Sequence, residues 1–147
     1  MLIGEHLHTL DPKNRVSLPA KFRKEMGKTV VMAPGIDSCL FVFTLKGWKE
    51  FADRLSRPDS SSVLQADNRN FNRILIGRAT EVDVDSIGRI LIPDHLCTHA
   101  GLSSHVAIIG VLNRVEVWDE KKWVEYRSEI EKKTEALAEK MGSAGII

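Results

Sequence analysis

The chain writes one short pattern twice. Asp11, Arg15 and Pro19 recur as Asp85, Arg89 and Pro93, at an offset of 74 in every case (85 − 11, 89 − 15, 93 − 19). Around them, residues 5–20 (EHLHTLDPKNRVSLPA) and 79–94 (ATEVDVDSIGRILIPD) follow one plan: an apolar-rich run, Asp-x-x-x-Arg, then an apolar run stopped by proline. A repeat of this kind makes each copy one supersecondary unit. The 147 residues then divide into two units of about 75. Each is too small to bury a sufficient core alone, so the units are expected to pack on each other or on further copies.

The repeated stretch reads as strand, turn, strand. His6–Leu10 alternates as a short strand, and Arg15–Leu18 is its expected hairpin partner. Between them Asp11-Pro12-Lys13-Asn14 carries turn chemistry: Asp bonds nearby backbone, Pro presets φ, and Asn tolerates the left-handed region. The second copy has Gly88 where the first has Asn14, a swap that a positive-φ position predicts. Pro19 then opens a short helix, Ala20–Met26, stopped by Gly27, and Pro93 and Gly101 repeat the arrangement.

Thr29–Ala33 and Leu40–Phe43 are the next strands, matched by Val106–Val111 and Val115–Trp118. Leu45, Trp48, Phe51, Ala52 and Leu55 form a helical stripe, which Trp123, Tyr126 and Ile130 partly repeat at an offset of 75 (123 − 48). The matched tryptophans point to core packing rather than base stacking. Arg57–Ser62 is a polar break and the expected linker start; Val63–Ile76 reads as helix, and Glu120–Met141 as one long charged helix with a Glu129–Lys133 pair. The class is therefore α+β: two tandem β-β-α-β-β units with flanking helices. The expected organisation is a first unit plus helix over 1–56, a linker helix over 57–77, a second unit plus helix over 78–131, and a helical tail over 132–147. Four short strands cannot close a sheet unaided, so the units are expected to interleave their hairpins.

Composition narrows the function. Apolar content of 43% and charged content of 28% are those of a globular protein. No apolar run reaches the roughly 20 residues that cross a bilayer. Met1–His6 lacks a signal-peptide pattern, and Cys39 and Cys97 form no paired motif, so a reduced intracellular setting is expected. Net charge is +1 but unevenly spread. Met1–Val30 holds six basic and three acidic residues, net +3, whereas Glu81–Trp118 holds two and five, net −3. A polyanion should therefore prefer the first copy, leaving the acids Asp83 and Asp94 of the second for contacts between subunits.

Arg15 is the first candidate for phosphate or base contact, because a guanidinium offers a rigid fork to either. The bland alternative is that it only pairs with Asp11 to hold the turn. Lys13, Asn14, Lys21, Arg23 and Lys24 crowd the same unit and favour nucleic acid. His8 shares a strand face with His6 and could join them, although such residues more often form the solvated face of an edge strand. Asp11 and Asp85 would be repelled by phosphate, so bracing the turn is their expected role, with Arg89 and Gly88 serving the second turn in the same way. His95 and His99 have the i,i+4 spacing of a metal pair but no third ligand, so neither metal nor cofactor is expected. No G-x-S-x-G, phosphate loop or H-E-x-x-H is present, which argues against an enzyme.

Gly4-Glu5-His6 with Asp11–Pro19, the run IGRATEVDVDSIGRILIP from Ile76 to Pro93, and GVLNRVEVWD from Gly110 to Asp119 resemble the MraZ family of bacterial regulators. The resemblance implies two SpoVT/AbrB-type swapped-hairpin units folded into an intramolecular pseudo-dimeric β-barrel. It implies homo-oligomeric rings that bind tandem repeats in promoter DNA of the division and cell-wall gene cluster, hence a cytoplasmic, nucleoid-associated protein. It also places the DNA-binding motif at Arg15. The rival class is an antitoxin-like interaction module gripping a protein through the charged C-terminal helix.

Overall fold

Period-two alternation and strong β-formers set the strands, but the arms of the two repeated turns pair between the halves of the chain. The computed structural model describes residues 1–56 and 64–147. Its strands are β1 (Ile3–Thr9), β2 (Arg15–Ser17), β3 (Thr29–Pro34), β4 (Leu40–Thr44), β5 (Thr80–Asp83), β6 (Arg89–Leu91), β7 (His105–Val111) and β8 (Val115–Asp119). The helices are α1 (Ala20–Met26), α2 (Leu45–Leu55), α3 (Ala66–Leu75), α4 (Asp94–Ala100), α5 (Glu120–Glu131) and α6 (Thr134–Ser143). Every strand pair is antiparallel, giving a six-stranded sheet in the order β1-β7-β8-β4-β3-β5 and a two-stranded ribbon, β2-β6.

The expected hairpin of His6–Leu10 with Arg15–Leu18 does not form as a ladder. β1 pairs with β7 from Ile3↔Val111 to Thr9↔His105, while β2 pairs with β6. Only the turn itself closes locally, through Asp11 N–H to Arg15 C=O at 2.9 Å. The second copy behaves alike: Asp85 N–H bonds Arg89 C=O at 2.9 Å, yet β5 pairs with β3. The arms splay because each buries more apolar surface against the other half than against its own neighbour.

Two apolar layers result. Between the six-stranded sheet and the ribbon lie Val16, Leu18, Phe22, Met26, Val30, Met32, Ile90, Ile92 and Leu96, with α1 and α4 contributing their inner faces. Across the sheet, Phe41, Phe43, Ile109 and Trp118 are covered by Trp48 and Phe51 of α2 and Trp123 of α5. Both covering helices start at a side-chain cap 75 residues apart: Thr44 Oγ1 accepts Gly47 N–H at 2.9 Å and Asp119 Oδ2 accepts Lys122 N–H at 3.4 Å. Burial pushes the Asp119 carboxyl up, but the Ser103 hydroxyl and N–H bound to it leave it below its ordinary value.

The C-terminal helix is two helices. At Lys133 the N–H bonds Ile130 C=O, three residues back, and Thr134 Oγ1 also reaches that carbonyl at 3.3 Å. A hydroxyl bonded to the carbonyl four residues back weakens and bends a helix, which favours a break at this point. The Glu129–Lys133 pair gives way to Glu129 with Lys132 at 3.3 Å. The expected linker start, Arg57–Ser62, lies outside the described residues, and α3 supplies most of the helix expected to follow it.

Gly110 of β7 is where β1 comes closest. A Cβ there would stand 2.5 Å from the Leu2 carbonyl carbon and 2.6 Å from the Ile3 nitrogen. Gly110→Ala is expected to loosen the β1–β7 seam and lower stability by about 1–3 kcal/mol, read as a shift in the urea midpoint.

Candidate nucleic-acid interface

Each turn is clamped by its own aspartate. Asp11 Oδ1 accepts the N–H groups of Lys13 at 2.9 Å and Arg15 at 2.8 Å, and Oδ2 accepts Arg15 Nε–H at 2.8 Å. Asp85 does the same for Ile87 N–H at 3.1 Å, Arg89 N–H at 2.8 Å and Arg89 Nε–H at 2.7 Å. Asn14 sits at φ 62° and Gly88 at φ 85°, so both copies need the left-handed region at this position. The backbone N–H of Arg15 is the largest influence on Asp11 and holds its carboxyl below the ordinary range against a smaller burial effect. The N–H of Arg89 acts likewise on Asp85.

The clamp uses only Nε of each guanidinium. Among the described residues no side chain or carbonyl is bonded to the two terminal nitrogens of Arg15 or Arg89. Their side chains remain 35% and 31% exposed. A planar fork held at one nitrogen keeps its outer edge ready for a phosphate or a guanine.

The ribbon puts both arginines on one face. Its register is Arg15↔Leu91, Val16↔Ile90 and Ser17↔Arg89. Val16 and Ile90 are buried, so by alternation Arg15, Ser17, Arg89 and Leu91 face outward together. The second motif therefore shares the first motif's surface, although the two copies carry opposite net charge. The turns are also tied to one another. Leu18 N–H donates to Gly88 C=O at 2.9 Å, and Ile92 N–H donates to Asn14 C=O at 2.8 Å.

Arg23 explains how the acidic second turn becomes compatible with this surface. From α1 it donates Nε–H to Leu18 C=O at 3.0 Å, and its guanidinium lies over Gly88, where a Cβ would collide with it. A cation from the first half thus covers the second turn. The acids assigned to subunit contacts are engaged inside the chain: Asp94 Oδ1 accepts from Asn14 Nδ2 at 2.9 Å, and Asp83 Oδ1 accepts from Thr29 Oγ1 at 3.1 Å.

The remaining candidates divide. Lys13 is exposed at the first turn. His8 lies near Arg23; burial first, then the charges of His6 and Arg23, hold its pKa below the ordinary imidazole value. Lys21 is about 200° from Arg23 around α1 and lines a cleft with Ile3, Glu5 and His6, away from the ribbon. Lys24 points outward, opposite the buried Phe22 and Met26. His95 Nε2 bonds Arg78 C=O at 3.0 Å and His99 Nε2 bonds Gly35 C=O at 3.1 Å, so the two are engaged separately. Sequence reasoning missed Leu91, 52% exposed beside Arg15. Aligning the repeats at 74 would have flagged it, because Ser17 holds the equivalent place.

Fold and site together define an α+β protein with an internal repeat, whose halves join in a ribbon bearing two braced arginines. A family model described as "MraZ protein, putative antitoxin-like" matches residues 1–73 and 75–143. Among similar proteins, the transcriptional regulator MraZ of Moorella thermoacetica is 43% identical over 141 residues, covering 96% of each chain. Those of Caldanaerobacter subterraneus subsp. tengcongensis and Clostridium acetobutylicum are 41% and 39% identical over 146 residues, covering 99% of this chain and all of theirs. The chain belongs to the MraZ family of transcriptional regulators, and no helix among its described residues is long and apolar enough to cross a membrane.

The depressed aspartates set a pH dependence. A carboxyl whose folded pKa lies below its unfolded value stabilises fully above the unfolded value, and the gain fades as pH falls through the folded one. Acid titration monitored by circular dichroism should show the wild type losing stability below the ordinary carboxylate range. The double variant Asp11→Asn/Asp85→Asn should start less stable and show a shallower acid decline.

Proposed function

We propose that this regulator binds duplex DNA by laying the β2–β6 ribbon into the major groove, with Arg15 and Arg89 as its principal contacts. The observation that carries the reading is their shared outward face, each fork braced by an aspartate and free at its terminal nitrogens. A major groove about 12 Å wide admits a two-stranded ribbon. Lys13, Asn14, Arg23 and His8 flank the turns and complete the basic surface; Lys24 and Lys21 serve as outlying contacts. Asp11, Asp85 and Gly88 brace the turns, and Arg89 combines bracing with contact.

The exchange of arms between halves supports two AbrB-like swapped-hairpin units, 1–56 and 78–131, joined by 57–77 into a pseudo-dimeric barrel with 132–147 as a tail. One ribbon makes few phosphate contacts, so binding gains by presenting several copies to tandem repeats. Exposed Ile3 and Leu7 on the edge strand β1, and Phe71 and Ile74 on α3, support assembly of copies into a ring. Promoter repeats of the division and cell-wall cluster are the proposed target, which makes the protein cytoplasmic and nucleoid-associated.

Arg15→Ala and Arg89→Ala should each weaken binding to the chain's own upstream duplex by about 1–3 kcal/mol without changing oligomer mass. Binding should also fall steeply with salt, and by about one unit less steeply on a log–log plot for each arginine that neutralises a phosphate. Undiminished binding by both variants, or a flat salt response, refutes the reading. A second reading, an antitoxin-like grip on a protein, is favoured by Leu137, Met141 and Ile146 exposed along the tail. Deleting 132–147 separates the two: intact DNA binding with no change in co-purifying protein supports the ribbon, while loss of a co-purifying protein from a wild type that binds no DNA supports the tail.

A further inference from the structure

The two sides of the ribbon are not chemical equals. Arg15 stands directly opposite Leu91, whereas Arg89 stands opposite Ser17. The repeat makes Ser17 and Leu91 equivalent positions (91 − 17 = 74), so one arginine has an apolar neighbour and the other a hydroxyl. Leu91 is 52% exposed, yet it lies on the face of the ribbon that also carries the arginines. The core does not need it, since Ile90 and Ile92 fill that interior from the same strand region.

An apolar side chain beside a base-reading arginine gains nothing from the flanking phosphates. In the major groove it has one apolar group to meet, the C5-methyl of thymine. Directly opposed residues in an antiparallel pair have Cβ atoms about 5 Å apart. Successive bases along a strand are about 3.4 Å apart. Leu91 therefore falls one to two base pairs from whatever Arg15 touches.

Resting on the DNA-binding reading above, we propose that Leu91 is a specificity-determining residue that reads a thymine methyl next to the guanine contacted by Arg15. Ser17 beside Arg89 reads the other side by hydrogen bonding. The pseudo-symmetric ribbon then recognises an asymmetric sequence. Such a site suits direct repeats rather than palindromes, because each copy of the chain imposes a direction on its own site.

The test uses the full chain and a randomised duplex pool. Duplexes enriched by the wild type are remade with each thymine replaced in turn by deoxyuridine, which pairs identically but lacks the methyl. A parallel set carries 7-deazaguanine to find the guanine whose N7 matters to the wild type but not to Arg15→Ala. The wild type should lose about fourfold in affinity at one thymine, the effect of burying a single methyl, within two base pairs of that guanine. Leu91→Ala should bind the thymine and deoxyuridine duplexes equally while keeping the wild-type salt slope. Leu91→Thr, which retains one methyl and suits a strand, should fall between and guards against a folding artefact. Indifference of the wild type to every thymine, or equal sensitivity in Leu91→Ala, overturns the assignment while leaving DNA binding intact. Failure of the wild type to enrich any sequence overturns the DNA-binding reading and this inference with it.

Discussion

No strand flanking either Asp-x-x-x-Arg turn finds its ladder inside its own half. β1 depends on β7, β5 depends on β3, and the short central strands β2 and β6 depend on each other. Backbone groups leaving water must be paired, and a three-residue strand has little sheet of its own to offer. Exchange between the halves is what satisfies them. It also brings Val16 and Ile90 together as the buried centre of the ribbon, with α1 and α4 closing the same interior. The arginine-bearing face is therefore a by-product of the core: the residues that alternate with Val16 and Ile90 have nowhere to go but outward.

That origin explains why the copies have diverged without separating. Their charges differ in sign, yet they occupy one surface, and the structure reconciles the two by sending Arg23 across to the second turn. In return, Asp94 at the start of α4 holds Asn14 of the first turn. The two exchanges are unlike chemically but fall at corresponding places, each fixing one turn with a side chain from the opposite half. Charge counted along the sequence assigned the two copies to separate tasks; folded, their arginines share one face of the ribbon.

Much of this was legible beforehand. The duplicated Asp-x-x-x-Arg, the Asn14/Gly88 exchange at a left-handed position, and the proline-opened, glycine-closed helices each have a local physical cause that survives folding. Partner choice was not legible. An alternating strand such as residues 3–9 declares its period but not its neighbour, and the turn chemistry of Asp11–Asn14 fixes the turn without committing the arms. The break at Lys133 escaped because the apolar seam runs through it unchanged, while the Thr134 hydroxyl that favours the break acts through one carbonyl. The separation of Lys21 from Arg23 is a matter of helical angle and could have been read directly. Arg23 over Gly88 could not, since that contact exists only once the halves interlace.

The pairing of Ile3 with Val111 has a consequence for biogenesis. β1 leaves the ribosome well before β7 and must wait for it before its hydrogen bonds are met. Contacts this distant along a chain slow the search for the native state and prolong exposure of apolar edges. For β1, with Leu2 beside it destined for the interior, that interval lasts until β7 has been made. The interlacing that gives the finished molecule a single rigid face thus makes its N-terminal segment the part most in need of protection while the chain is being made.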